Sequence, residues 1–93
     1  MSIVCTVRIP HPLERVTRYE AENAQLMEPI IAAARKHMSG HRRIENDQEV
    51  IDLDEFGAMG HYDAFMADAG DAVRAYNEAM GVTETHYRVV EGG

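Results

Sequence analysis

Ninety-three residues supply one core and no more, because either half alone would be too small to bury one, so the chain is read as a single domain over residues 1–93. A formal net charge of −7 argues against a nucleic-acid partner, whose phosphates want a basic face. No apolar run approaches the roughly 18–20 residues of a membrane span, and a single cysteine rules out an intrachain disulfide, which fits a cytoplasmic protein.

Met1-Ser2-Ile3-Val4 passes straight into a strand pattern, with no charged-then-apolar leader. Residues 3–9 are rich in β-branched side chains and form the first strand. Ile3, Cys5, Val7 and Ile9 share one of its faces, and Cys5 reads as a small core residue. Pro10 and Pro12 then stop the ladder, since neither can donate a hydrogen bond. Thr17 and Glu20 match a capping box, which starts a helix near Arg18 with Leu13 to Val16 as a preceding turn. Val16, Tyr19, Asn23, Leu26, Met27, Ile30, Ala34 and Met38 fall at helical spacing. Pro29 is expected to kink or restart that helix. Arg35, Lys36 and His37 suit the negative end of its dipole, and Gly40 ends it.

Residues 41–45 and 49–56 read as two strands joined by a tight turn at Asp47-Gln48. That turn sets Ile44 opposite Ile51, Arg43 opposite Asp52 and His41 opposite Asp54. Ile44, Ile51 and Leu53 are expected to face a core, leaving Val4, Thr6, Val50 and Phe56 on the open face of the sheet. The charged pairs then read as structural ion pairing at the surface. Tyr62, Phe65, Met66, Ala69, Val73, Tyr76 and Met80 make a second helical stripe, which Gly70 divides and Gly81 closes. Residues 85–90 form the last strand. The order strand, helix, strand, strand, helix, strand gives an α+β fold, the ferredoxin-like βαββαβ arrangement with a four-stranded antiparallel sheet.

The five histidines, His11, His37, His41, His61 and His86, form no closed ligand spacing with each other or with Cys5, so no metal site is expected. No nucleophile triad, phosphate loop or dinucleotide fingerprint is present. Tyr19, Asn23, Tyr62 and Tyr76 carry polar atoms on otherwise apolar stripes, and such atoms need partners. Together with Phe65 they are expected to line any ligand pocket between helices and sheet, with His61 near its mouth as a candidate base.

The central stretch, residues 27–66, resembles the antibiotic-biosynthesis monooxygenase family of the dimeric α/β-barrel superfamily. The resemblance lies in Glu28-Pro29 before Ala32-Ala33-Ala34-Arg35, in Gly40 before a strand, in the turn Glu45-Asn46-Asp47, in Asp54-Glu55-Phe56, and in Tyr62-Asp63-Ala64-Phe65. It implies a homodimer in which two sheets pack face to face as a barrel, each subunit keeping a small-molecule pocket. Family members often carry tryptophan where this chain has Phe56, and histidine or tryptophan where it has Phe65. The asparagine and axial histidine of the haem-degrading branch are replaced by Val7 and Ala75, so neither haem nor another cofactor is implied. The reading is a dimeric α/β-barrel protein with a small-molecule pocket, working as a cofactor-independent monooxygenase or isomerase. The alternative is a non-catalytic dimeric ligand-binding module.

Overall fold

The computed structural model describes all 93 residues. In chain order it runs β1 (Ile3–Ile9), α1 (Leu13–Glu22), α2 (Ala24–His37), β2 (Gly40–Glu45), β3 (Val50–Phe56), α3 (Met59–Met80) and β4 (Thr83–Arg88). The strands form one antiparallel sheet in the order β2-β3-β1-β4. This is the expected ferredoxin-like arrangement. No helix is long and apolar enough to cross a membrane.

The hairpin has the expected register, with Ile44 opposite Ile51, Arg43 opposite Asp52 and His41 opposite Asp54. Its turn is fixed by Asn46, whose Oδ1 accepts the backbone N–H groups of Gln48 and Glu49 at 2.8 and 2.9 Å. Which face meets the helices is reversed from expectation. Phe56 lies opposite Ile3 and Val50 opposite Ile9, and directly opposed residues share a face. Both are buried in the core, while Ile44, Ile51 and Leu53 lie on the open face beside Val4 and Thr6. The alternation of β3 offers two inward sets, Ile51/Leu53 or Val50/Asp52/Asp54/Phe56. The second wins because large apolar groups at both strand ends fill the core, and because its carboxylates find partners under the helices.

The first long helix also differs. It breaks at Asn23 and continues through Pro29. Asn23 leaves helical geometry, and its Nδ2 donates to the Tyr19 carbonyl at 2.8 Å, satisfying a group freed by the break. Pro29 costs the Gln25 carbonyl its helical partner, but both residues are exposed and water can serve. Thr17 is no cap. Its hydroxyl donates back to the carbonyls of Leu13 and Glu14 at 3.0 and 3.1 Å within α1. α3 runs unbroken through Gly70, which is buried; packing outweighs the roughly 1 kcal/mol of lost helix propensity. Gly81 closes α3 in the left-handed region, with φ of 67°. β4 spans Thr83–Arg88, two residues earlier at each end than the expected 85–90.

The core has two centres between sheet and helices. One gathers Ile3, Cys5, Ala33, Phe56, Phe65, Ala69 and Val73. The other gathers Ile9, Val16, Val50, Tyr76 and Met80.

Candidate functional site

Both centres leave polar side chains of the inner sheet face beneath the helices. Two cross-strand rows carry them. One runs His41, Asp54, Cys5, His86, and the next runs Arg43, Asp52, Val7, Glu84. Over part of these rows lies a cavity of about 550 Å³. Its apolar wall comes from α2 and α3, through Met27, Ile30, Ala34, Met38, Phe65 and Val73. Its polar lining is Glu20, Arg35, Ser39, His41, Arg43, Asp52, Asp54, Tyr76, Asn77 and Glu84. An apolar chamber with a few convergent polar groups is the common form of a small-molecule site.

Arg43 organises one end. Its Nε and Nη2 donate to the two oxygens of Asp52 at 2.6 and 2.9 Å, and its Nη1 and Nη2 donate to Glu20 of α1 at 3.0 and 2.9 Å. Two forked pairs on one guanidinium tie α1 to the sheet. The Tyr76 hydroxyl adds a third bond to Glu20, at 2.7 Å. Burial pushes the Glu20 carboxyl up, but the bonds from Arg43 and Tyr76 outweigh it and hold it below its ordinary value. Burial and then Glu20 push the Tyr76 hydroxyl well above the ordinary tyrosine range, so it stays a donor.

His41 and Asp54 occupy the other end, with Nδ1 and Oδ1 2.7 Å apart. Burial raises Asp54, only partly opposed by the bond to His41, and the nearby Asp52 and Glu84 carboxylates raise it further. The Nε2 of His41 has no hydrogen-bond partner in the protein. A histidine fixed at one nitrogen by a carboxylate and free at the other has the form of a general base.

Of the six residues expected to line a pocket, Phe65 and Tyr76 do so, and Tyr19, Asn23, His61 and Tyr62 do not. Tyr19 packs edge-on against Tyr76, with ring centroids 5.7 Å apart. Asn23 is occupied at the helix break. His61 is exposed in the first turn of α3. Tyr62 packs on Phe56 and turns its hydroxyl to Glu84 at 2.7 Å. The pairs Arg43–Asp52 and His41–Asp54, expected at the surface, form and border the cavity, while the His41 side chain stays 52% exposed. Glu20 and Glu84 are the residues that the sequence reading missed. The sequence pattern places Glu20 in a cap, and no local signal links Glu84 to β3.

Solved structures share this architecture. The protein Rv0793 from Mycobacterium tuberculosis aligns with a TM-score of 0.67 at 11% identity, covering 100% of this chain and 99% of that one. A candidate antibiotic biosynthesis monooxygenase from Deinococcus radiodurans aligns with a TM-score of 0.61 at 18% identity, covering 100% and 96%. The chain has the fold of the antibiotic biosynthesis monooxygenases. SnoaB, a cofactor-independent oxygenase from Streptomyces nogalater, aligns with a TM-score of 0.57 at 12% identity, over 99% of this chain and 98% of that one. At such identities the likeness is one of fold, and the resemblance read from residues 27–66 holds at that level. No family model and no curated protein matches the sequence.

Proposed function

We propose that the cavity binds a small, largely apolar, enolisable molecule and that His41 removes a proton from it, in a cofactor-independent monooxygenase or isomerase. The observation that carries this reading is the His41–Asp54 pair on the lining of a cavity that is otherwise mostly apolar. Asp54 fixes the imidazole orientation and stabilises it once protonated. An isomerase would return the proton to another carbon of the substrate. An oxygenase would pass the resulting carbanion to dioxygen. The shared fold with SnoaB supports the second outcome.

The test is oxygen uptake with a tricyclic anthrone as probe and no added cofactor, with proton exchange into the probe followed in parallel by NMR. His41→Ala should lower either rate by about 10²–10⁴-fold, the usual contribution of a general base. An unchanged rate in that variant would remove His41 from the chemistry.

One observation favours the alternative, a ligand-binding module. Every buried side-chain nitrogen and oxygen already has a hydrogen-bond partner, so a ligand could be held by the apolar wall alone. Retention of the probe without oxygen uptake or exchange would favour that reading. We also propose that the open sheet face closes a homodimer, with a cytoplasmic setting suited to the free thiol of Cys5.

A further inference from the structure

The two ends of the sequence meet in the sheet. β1 pairs with β4 so that Cys5 lies opposite His86 and Val7 opposite Glu84. The Cys5 Sγ, a carboxylate oxygen of Glu84 and a ring nitrogen of His86 all lie within 4.8 Å of one another. We infer that Cys5, Glu84 and His86 form a site for a divalent transition-metal ion of the zinc class, with Tyr62 supporting it from the outer shell.

The donor set selects the ion. Thiolate, imidazole and carboxylate together suit Zn²⁺, whereas Mg²⁺ and Ca²⁺ want oxygen ligands. Tetrahedral Zn²⁺ with bonds of about 2.0–2.3 Å sets its ligand atoms roughly 3.5 Å apart; His86 Nε2 and Glu84 Oε2, paired at 2.5 Å, would part to admit the ion while the Cys5 Sγ closes in from within 4.8 Å. A thiolate, a carboxylate and a neutral imidazole balance a doubly charged ion, and the proton leaving the Cys5 thiol goes to solvent. Three protein ligands leave a fourth position for water.

Two further features point to a cation here. Tyr62 holds the Glu84 carboxylate through its hydroxyl and sets its ring against His86, with centroids 4.6 Å apart. Second partners of this kind fix the orientation of metal ligands. The field also has the right sign. Four carboxylates, those of Glu20, Asp52, Asp54 and Glu84, line the cavity against two guanidiniums, those of Arg35 and Arg43. A net negative lining attracts a metal cation. The site escapes a spacing rule because its ligands sit on β1 and β4, more than 75 residues apart in sequence.

Cobalt(II) titration of the untagged full chain tests the site, because thiolate ligation gives a charge-transfer band and Cys5 is the only cysteine. We expect a stoichiometric band that Zn²⁺ bleaches on competition. Loss of an outer-shell partner costs about 10–100-fold in metal affinity. Tyr62→Phe should therefore weaken binding within that range, and His86→Ala and Glu84→Gln by at least as much. His86 is exposed and Glu84 half-buried, so both variants should keep the far-ultraviolet dichroism of the parent. No band at saturating cobalt would overturn the site. So would a band whose affinity is unchanged in both folded variants.

Discussion

Arg43 is the residue on which the inner polar layer depends. Its side chain is 26% exposed, and the carboxylates it joins, Glu20 and Asp52, are 18% and 12% exposed. Arg43→Met would leave a buried carboxylate, Asp52, and a half-buried one, Glu20, without their cation. Breaking a fully buried pair costs about 3–5 kcal/mol; partial solvent access should reduce this to roughly 2–3 kcal/mol. Arg43→Lys should not restore the loss, since an ammonium cannot make both forks. Urea unfolding of both variants checks this. The acid limb of stability follows from Glu20. Its folded pKa is depressed, so it contributes stability above its unfolded pKa, and that contribution is lost as pH falls through the folded value. Glu20→Gln should flatten the fall in urea midpoint below about pH 4.3, the ordinary glutamate value. An unchanged acid slope would show that Glu20 is not its source. Asp54 acts with the opposite sign. Raised by burial, it favours the folded state below its unfolded pKa and loses that contribution as pH rises through the folded one.

At the scale of elements, the two helical breakers have unlike consequences. Gly81 has φ of 67°, and the terminus of α3 is anchored there by a contact of 3.0 Å between His11 Nε2 and the Met80 carbonyl. Gly81→Ala should destabilise by about 1–2 kcal/mol, the cost of a left-handed residue with a Cβ. Pro29→Ala should do the reverse. Restoring a helical hydrogen bond is worth up to about 3 kcal/mol, offset by about 1 kcal/mol of added freedom in the unfolded chain, so thermal unfolding should move upward. Element order, hairpin register and the α3 stripe were legible because each rests on local periodicity or turn chemistry. The break at Asn23 was not, because proline is the stronger local signal and tertiary packing overrode it. The site was half legible for the same reason. Phe65 and Tyr76 follow from helical spacing, and the partners of Asp52 and Asp54 follow from the hairpin. Whether those carboxylates face helices or solvent depends on β1, more than 40 residues away in sequence.

For the whole molecule, the open sheet face decides the state of assembly. Val4, Thr6, Ile44, Ile51, Leu53 and Tyr87 lie on it, with Ile44 45% and Tyr87 56% exposed. Arg8, Arg42 and Glu55 share this face with the apolar side chains; an unpartnered face of this kind marks an interaction surface, and burying its apolar part contributes at about 25 cal/mol per Å². Light scattering should therefore give a dimer at micromolar concentration. Leu53→Asp should yield a monomer, since a carboxylate there would be buried without a partner. A monomeric parent protein would count against the barrel.

Cys5 has 1% of its surface exposed and sits on a strand paired on both edges. Its side chain faces the helices, so in the metal-free chain a thiol-reactive probe reaches it only when that core opens. As the chain carries no other thiol, labelling kinetics would follow that opening alone. Where reclosing outpaces labelling, the rate gives the free energy of opening without denaturant; where it does not, the rate is that of unfolding itself. The protein thus carries its own reporter of native-state fluctuation, at a position that needs no engineering.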